Sequence, residues 1–204
     1  MNRTVHKIHM AANIGRPLEF DPDTALEAAM HVFWSKGYEL TSMQDLLAAM
    51  NLSKSSLYQA FGGKQALFRA CMARYADQMA AHLRQTLNEA TSGTAFIETF
   101  LRSVLAEAQG TPRGCLVMNT ASEFAQSEAN IAQDVSNSIE RFRQILQAAV
   151  EQAQQEGDIA PQRDARTLAS FLVSSMSGLK TQAKAGADAH TLSGIIATIL
   201  RALP

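Results

Sequence analysis

Thr41-Ser42-Met43-Gln44-Asp45-Leu46-Leu47-Ala48-Ala49-Met50-Asn51-Leu52-Ser53-Lys54-Ser55-Ser56-Leu57-Tyr58-Gln59-Ala60-Phe61 divides into two short helical runs around a tight turn. In the first run Ser42 and Asp45 are spaced as a capping box, with Asp in place of Glu. Met43, Leu46, Leu47 and Met50 recur at helical spacing and supply its apolar face. Asn51 ends it, being a residue that tolerates the left-handed conformation. Ser53 caps the second run, in which Leu52, Leu57 and Phe61 form the inner side. Lys54, Ser55, Ser56, Tyr58 and Gln59 form the outer side. Short polar side chains let a helix backbone approach closely, and the lysine, tyrosine and glutamine offer donors. Such a face suits a helix lying in the major groove of DNA, with contacts to phosphates and base edges.

The same punctuation continues on both sides. Upstream, Asp21-Pro22 opens a helix with Pro at its first position, and Leu26, Ala29, Met30, Phe33 and Trp34 line one face before Gly37 stops it. Downstream, Gly62-Gly63 breaks the chain before a long helix over residues 64–87. Five more helices are expected over residues 93–109, 112–126, 128–155, 161–185 and 188–203. Strand-like alternation is missing, so the expected class is all-α. Residues 1–20 read as a basic arm, 21–68 as a helix-turn-helix head, and 69–204 as a helical body.

The spaced residues Ala29, Phe33, Gly37-Tyr38, Thr41-Ser42-Met43, Asp45-Leu46, Leu52-Ser53-Lys54, Leu57-Tyr58, Phe61, Lys64 and Leu67 resemble the DNA-binding domain of TetR-type transcriptional regulators. The resemblance covers about a quarter of the chain. It implies a three-helix head joined through a fourth helix to a body that binds a small molecule and dimerises. It also implies phosphate contacts from Tyr58, Lys64, Thr41 and Ser42. Ala60 departs from the pattern, which usually has a larger residue there, and Gly63 replaces a Ser or Asn cap.

Bulk properties agree with this class. The chain has 204 residues, is 47% hydrophobic and 18% charged, and carries a formal net charge of -1. Near-neutrality does not argue against a nucleic-acid partner, because the distribution of charge matters more than its sum. The first 18 residues hold Arg3, Lys7 and Arg16 without an acidic residue, and Gly15-Arg16-Pro17 suits an arginine laid into a narrow minor groove. Two cysteines cannot build a disulfide framework. Neither a secretory signal nor an apolar stretch long enough for a bilayer is visible, so a cytoplasmic protein without membrane partners is expected. Gly62-Gly63-Lys64 lacks the earlier glycine and following Ser/Thr of a phosphate loop. His6 and His9 have no companion ligands nearby. With no hydrolase, zincin or dinucleotide signature either, neither an enzyme nor a cofactor or metal is expected.

In the body, Phe96, Phe100, Met118, Glu123, Phe124, Phe142 and Met176 are the candidate pocket residues. Plain core packing is the competing reading for the apolar ones. Cys115 follows Thr111-Pro112-Arg113-Gly114, which reads as a helix start; there the amide dipoles and Arg113 would favour a thiolate. That makes it a candidate redox or electrophile sensor, set against a small buried hydrophobe. Two stripes are expected at a dimer interface: Leu168, Phe171, Leu172, Ser175, Gly178 and Leu179, then Leu192, Ile195, Ile196 and Ile199. The expected activity is a repressor that an unidentified small molecule releases from a palindromic double-stranded operator, acting as a homodimer. A thiol sensor on the same scaffold, and a helical enzyme or adaptor without DNA binding, are the competing readings.

Overall fold

The computed structural model describes residues 20–124 and 128–204. Among these residues nine helices occur and no strand. They are α1 (Pro22–Lys36), α2 (Met43–Met50), α3 (Lys54–Phe61), α4 (Lys64–Glu89), α5 (Gly93–Ala108), α6 (Leu116–Phe124), α7 (Ala129–Glu156), α8 (Ala165–Lys184) and α9 (Ala189–Arg201). Arg16 lies outside the described residues.

The first three helices form the head, and each has an identifiable start and stop. Asp21 accepts from the amides of Asp23 and Thr24 ahead of α1, where Pro22 gives up no needed donor. Gly37 closes α1 at φ 79°. At α2 both halves of the capping box form: Ser42 accepts from the Asp45 amide and Asp45 accepts from the Ser42 amide. Asn51, at φ 53°, ψ 46°, is the left-handed cap that ends α2. Ser53 accepts from the Ser56 amide at α3, and Gly62 ends that helix. Gly63 has φ +119°, and a Cβ there would stand 3.2 Å from the Tyr58 ring. Glycine at this position is therefore favoured by backbone conformation and by the ring, and as the N-cap of α4 it supplies no side-chain hydrogen bond.

Helix α4 runs from the head into the body. Leu67, Phe68, Cys71, Met72 and Tyr75 on it are buried, and α1 and α7 pack on it. Helices α7 and α8 are the most extensively packed pair in the body. Gly93 lets α5 reach α7, since a Cβ there would come within 2.3 Å of the Ala149 carbonyl.

Two helix starts move by four residues, and the other described ends lie within two residues of expectation. The helix expected from residue 112 starts at Leu116, because Gly114 takes φ +76° and the first helical bond runs from the Asn119 amide to the Cys115 carbonyl. The helix expected from residue 161 starts at Ala165, because Asp164 caps it through the Thr167 amide.

Candidate functional site

The outer side of α3 is as the periodicity predicts. Lys54, Ser55, Tyr58 and Gln59 are exposed, with Tyr58 at 49%, while Leu57 is fully buried. Ser56 is half-buried and its hydroxyl lies 2.8 Å from that of Ser53, within the cap. Lys64 opens α4 beside this face, its ammonium 4.2 Å above the centre of the Tyr38 ring. The ring's negative face holds the cation at the head's edge. Ser42 is exposed at the start of α2.

Thr41 requires a correction. It is 1% exposed, and its hydroxyl donates to the Gly37 carbonyl at 2.5 Å. Its side chain closes the α1–α2 turn and is unavailable to a phosphate.

The head is fastened to the body by α4, on which α1 packs, and by hydrogen bonds at both ends of α6. Ahead of that helix, the Trp34 indole donates to the Gly114 carbonyl at 3.1 Å. Near its other end, the Glu123 carboxylate accepts from the amides of Tyr38 at 3.0 Å and Glu39 at 2.7 Å. The Gly37–Glu39 turn is thus a small nest of amides that receives a carboxylate. Phe124 packs its ring against Tyr38 and Phe68, 5.1 and 5.6 Å between centroids. Arg69 of α4 adds an ion pair with Asp134 of α7 at 2.6 Å.

A cavity of about 210 Å³ lies in the body between α4, α5, α6, α7 and α8. Phe96, Phe100, Met118, Phe142 and Met176 all line it, as the sequence suggests. Glu123 and Phe124 do not, and these two pocket assignments are corrected: both belong to the junction with the head. Tyr75, Cys115, Glu107 and Lys180 also line the cavity, and sequence reading missed three of them. Tyr75 and Lys180 sit at apolar-periodic positions of α4 and α8, where a polar tip is invisible without the neighbours. Lys180 is nearly buried and pairs with Glu107 at 2.6 Å. The Tyr75 hydroxyl is buried and makes no hydrogen bond of acceptable geometry, although the Cys115 thiol lies beside it. Burial first, and Cys115 second, hold its phenol above the ordinary range, so it stays a hydroxyl.

Cys115 is half-buried at the cavity wall, just before α6 rather than in a first turn. Arg113 does not face it: the guanidinium lies 5.5 Å from the Trp34 ring centre and 3.0 Å from His31 Nδ1. Cys71 is fully buried with its thiol against the Leu26 carbonyl, and burial pushes that thiol well up.

The expected dimer stripes split. Leu168, Leu172, Leu179, Leu192, Ile196 and Ile199 are buried inside the protomer, because the apolar edges of α8 and α9 face α5 and α7. Phe171, Ser175, Gly178 and Ile195 remain at least partly open, with Phe171 39% exposed. Among the described residues no group of His, Cys, Asp and Glu is placed to hold a metal. No helix there is long and apolar enough to cross a membrane.

Comparison with known proteins places these features in a family. Residues 25–71 match the model described as bacterial regulatory proteins, tetR family, and residues 93–199 match the tetracyclin repressor-like C-terminal domain. The chain is 34% identical over 193 residues to the HTH-type transcriptional repressor ComR of Escherichia coli K12, covering 93% of this chain and 92% of that one. It is 27% identical to the repressor BdcR of the same organism, covering 90% and 88%. Among solved structures, a cysteine-substituted TetR family regulator, CifR, in complex with 26-base-pair operator DNA superposes with TM-score 0.82 at 34% identity, covering 93% of this chain and all of that one.

Proposed function

Starting from the fact that this chain belongs to the TetR family of bacterial regulatory proteins, as a sequence-specific DNA-binding transcriptional regulator and not an enzyme, we propose that it is a cytoplasmic homodimeric repressor released from a palindromic operator by a small molecule in the α4–α8 cavity. The supporting observation is that α6 is shared. Val117 and Met118 face the cavity, while Glu123 and the Gly114 carbonyl hold the turn and helix of the head. A molecule that fits better when α6 is displaced would shift the pose of α3, and only that difference in affinity is needed.

On DNA, α3 lies in the major groove with Gln59 and Ser55 toward base edges. Lys54, Lys64 and Tyr58 sit toward phosphates, Ser42 and Ser56 hold the caps that aim them, and Arg16 enters the adjacent minor groove. Operator affinity measured across a salt series tests this. Lys64→Ala should weaken binding to all sequences alike and lower the salt slope by about one unit. Gln59→Ala should change base preference instead. Unchanged affinity in a Lys64→Ala, Tyr58→Ala double variant would contradict the docking.

The cavity-lining position of Cys115 favours a second reading, in which an electrophile acts on that thiol. In that case Cys115→Ser keeps operator binding but no longer responds to a thiol reagent, and Cys71→Ser behaves as wild type. Slow alkylation of native Cys115 returns the signal to non-covalent occupancy.

A further inference from the structure

Resting on the reading of this cavity as the effector site, we propose that its ligand is a neutral, largely apolar molecule with one carbonyl oxygen, and that the Tyr75 hydroxyl is the donor that recognises it. The walls are dominated by Phe96, Phe100, Phe142, Met118, Met176 and Val173, so most of the ligand must be apolar. Size agrees: an apolar cavity of about 150 Å³ accepts benzene, and 210 Å³ leaves space for a short substituent on the ring.

Of the polar lining residues, His82, Thr99 and Ser103 are exposed to solvent, and the less exposed Tyr75, Lys180 and Glu107 decide the rest. Lys180 and Glu107 already neutralise one another at 2.6 Å. A carboxylate ligand would have to compete with Glu107 for the ammonium and leave a charge uncompensated, which is costly against largely apolar walls. Tyr75 is different. It is 3% exposed, its side chain lines the cavity, and its hydroxyl makes no hydrogen bond of acceptable geometry, with the Cys115 thiol and the Leu116 backbone beside it. A buried donor left unmade is a standing cost that a ligand acceptor removes. The hydroxyl oxygen itself is fully buried, so an acceptor reaches it only as the neighbouring Cys115 thiol, which lines the same wall, turns aside. Because desolvation keeps the phenol protonated, the site offers a donor and so selects an acceptor.

The position also explains how such a ligand would be felt outside the cavity. The Tyr75 ring meets the Trp34 ring edge-on at 4.9 Å, and Trp34 in turn bonds the Gly114 carbonyl ahead of α6. An oxygen drawn to Tyr75 therefore bears on the contact between α1 of the head and the start of α6.

Three probes of similar shape separate the terms: acetophenone, its hydrocarbon counterpart ethylbenzene, and benzoate, titrated calorimetrically into the full-length protein. Acetophenone should bind roughly tenfold more tightly than ethylbenzene, as expected for one satisfied buried donor, and benzoate should bind most weakly. In Tyr75→Phe, acetophenone should fall to the affinity of ethylbenzene while ethylbenzene keeps its own. Equal binding of ketone and hydrocarbon by the wild type, a ratio unaltered in Tyr75→Phe, preferred binding of benzoate, or no binding of any probe would each overturn the proposal. The cavity reading is judged separately, with Val173→Phe as a filled-cavity control. Ethylbenzene binding that Val173→Phe abolishes, without a ketone preference in the wild type, keeps the cavity as a ligand site and rejects the carbonyl.

Discussion

Tyr75 is the residue at which stability and function pull apart. Its ring fills a core position on α4, yet its hydroxyl is buried without a partner. Removing an unsatisfied buried donor without altering shape returns its desolvation penalty, so Tyr75→Phe should raise the ligand-free protein's stability by about 1 kcal/mol. Urea unfolding checks this, and a lower midpoint with an unchanged slope would show the hydroxyl to be well bonded. Thr41 is the opposite case. It occupies a position where resemblance implies a phosphate contact, but its hydroxyl is spent inside the turn on the Gly37 carbonyl. Sequence identifies the residue type at such a position; it does not say which of two acceptors wins the proton.

Among the elements, those of the head were the most legible. Ser42, Asp45, Asn51 and Ser53 each act on backbone groups within a few residues, so local spacing suffices to find them. Helix α6 was the least legible, because its function depends on partners some 80 residues away: Glu123 on the Tyr38 and Glu39 amides, and Gly114 beneath Trp34. The capping box has a pH signature. Asp45 is held down to about 2, first by the Lys36 ammonium at 2.6 Å and then by the Ser42 amide and hydroxyl. Its folded pKa is below its unfolded value of 3.8. Its contribution is therefore complete above the unfolded value and is lost as pH falls toward 2. Protection of the first-turn amides of α2, taken relative to their intrinsic exchange rate at each pH, should fall in that window, and Asp45→Asn should remove this pH dependence. At α5, Gly93→Ala would drive a Cβ into the Ala149 carbonyl and should cost roughly 1–3 kcal/mol, read as a lower unfolding midpoint. Unaltered stability would mean that α5 can lift from α7 without loss. For α6, Glu123→Ala should leave the cavity intact but loosen the turn ahead of α2. Ligand affinity should stay near wild type while the ligand's effect on operator affinity shrinks, and undiminished coupling would argue against α6 as the link.

At the scale of the whole molecule, α8 and α9 divide their side chains between the protomer's own core and an outer surface. Leu172 and Ile196 are fully buried within one chain, so Asp at either should unfold the protomer rather than split a dimer. Phe171 and Ile195 keep exposed surface on the same helices, and Phe171→Asp with Ile195→Asp should yield a folded monomer with greatly reduced operator affinity. Sedimentation at micromolar concentration, with circular dichroism as the check on folding, distinguishes the two outcomes. The central claim is that two copies of the head set α3 into successive major grooves of one operator. Hydroxyl-radical and methylation-interference footprints on the DNA flanking the protein's own gene test it most directly. The account predicts two symmetric half-sites with major-groove guanine contacts, lost together when a cavity ligand is added. A footprint confined to one groove segment, or binding without sequence preference at physiological salt, would contradict it.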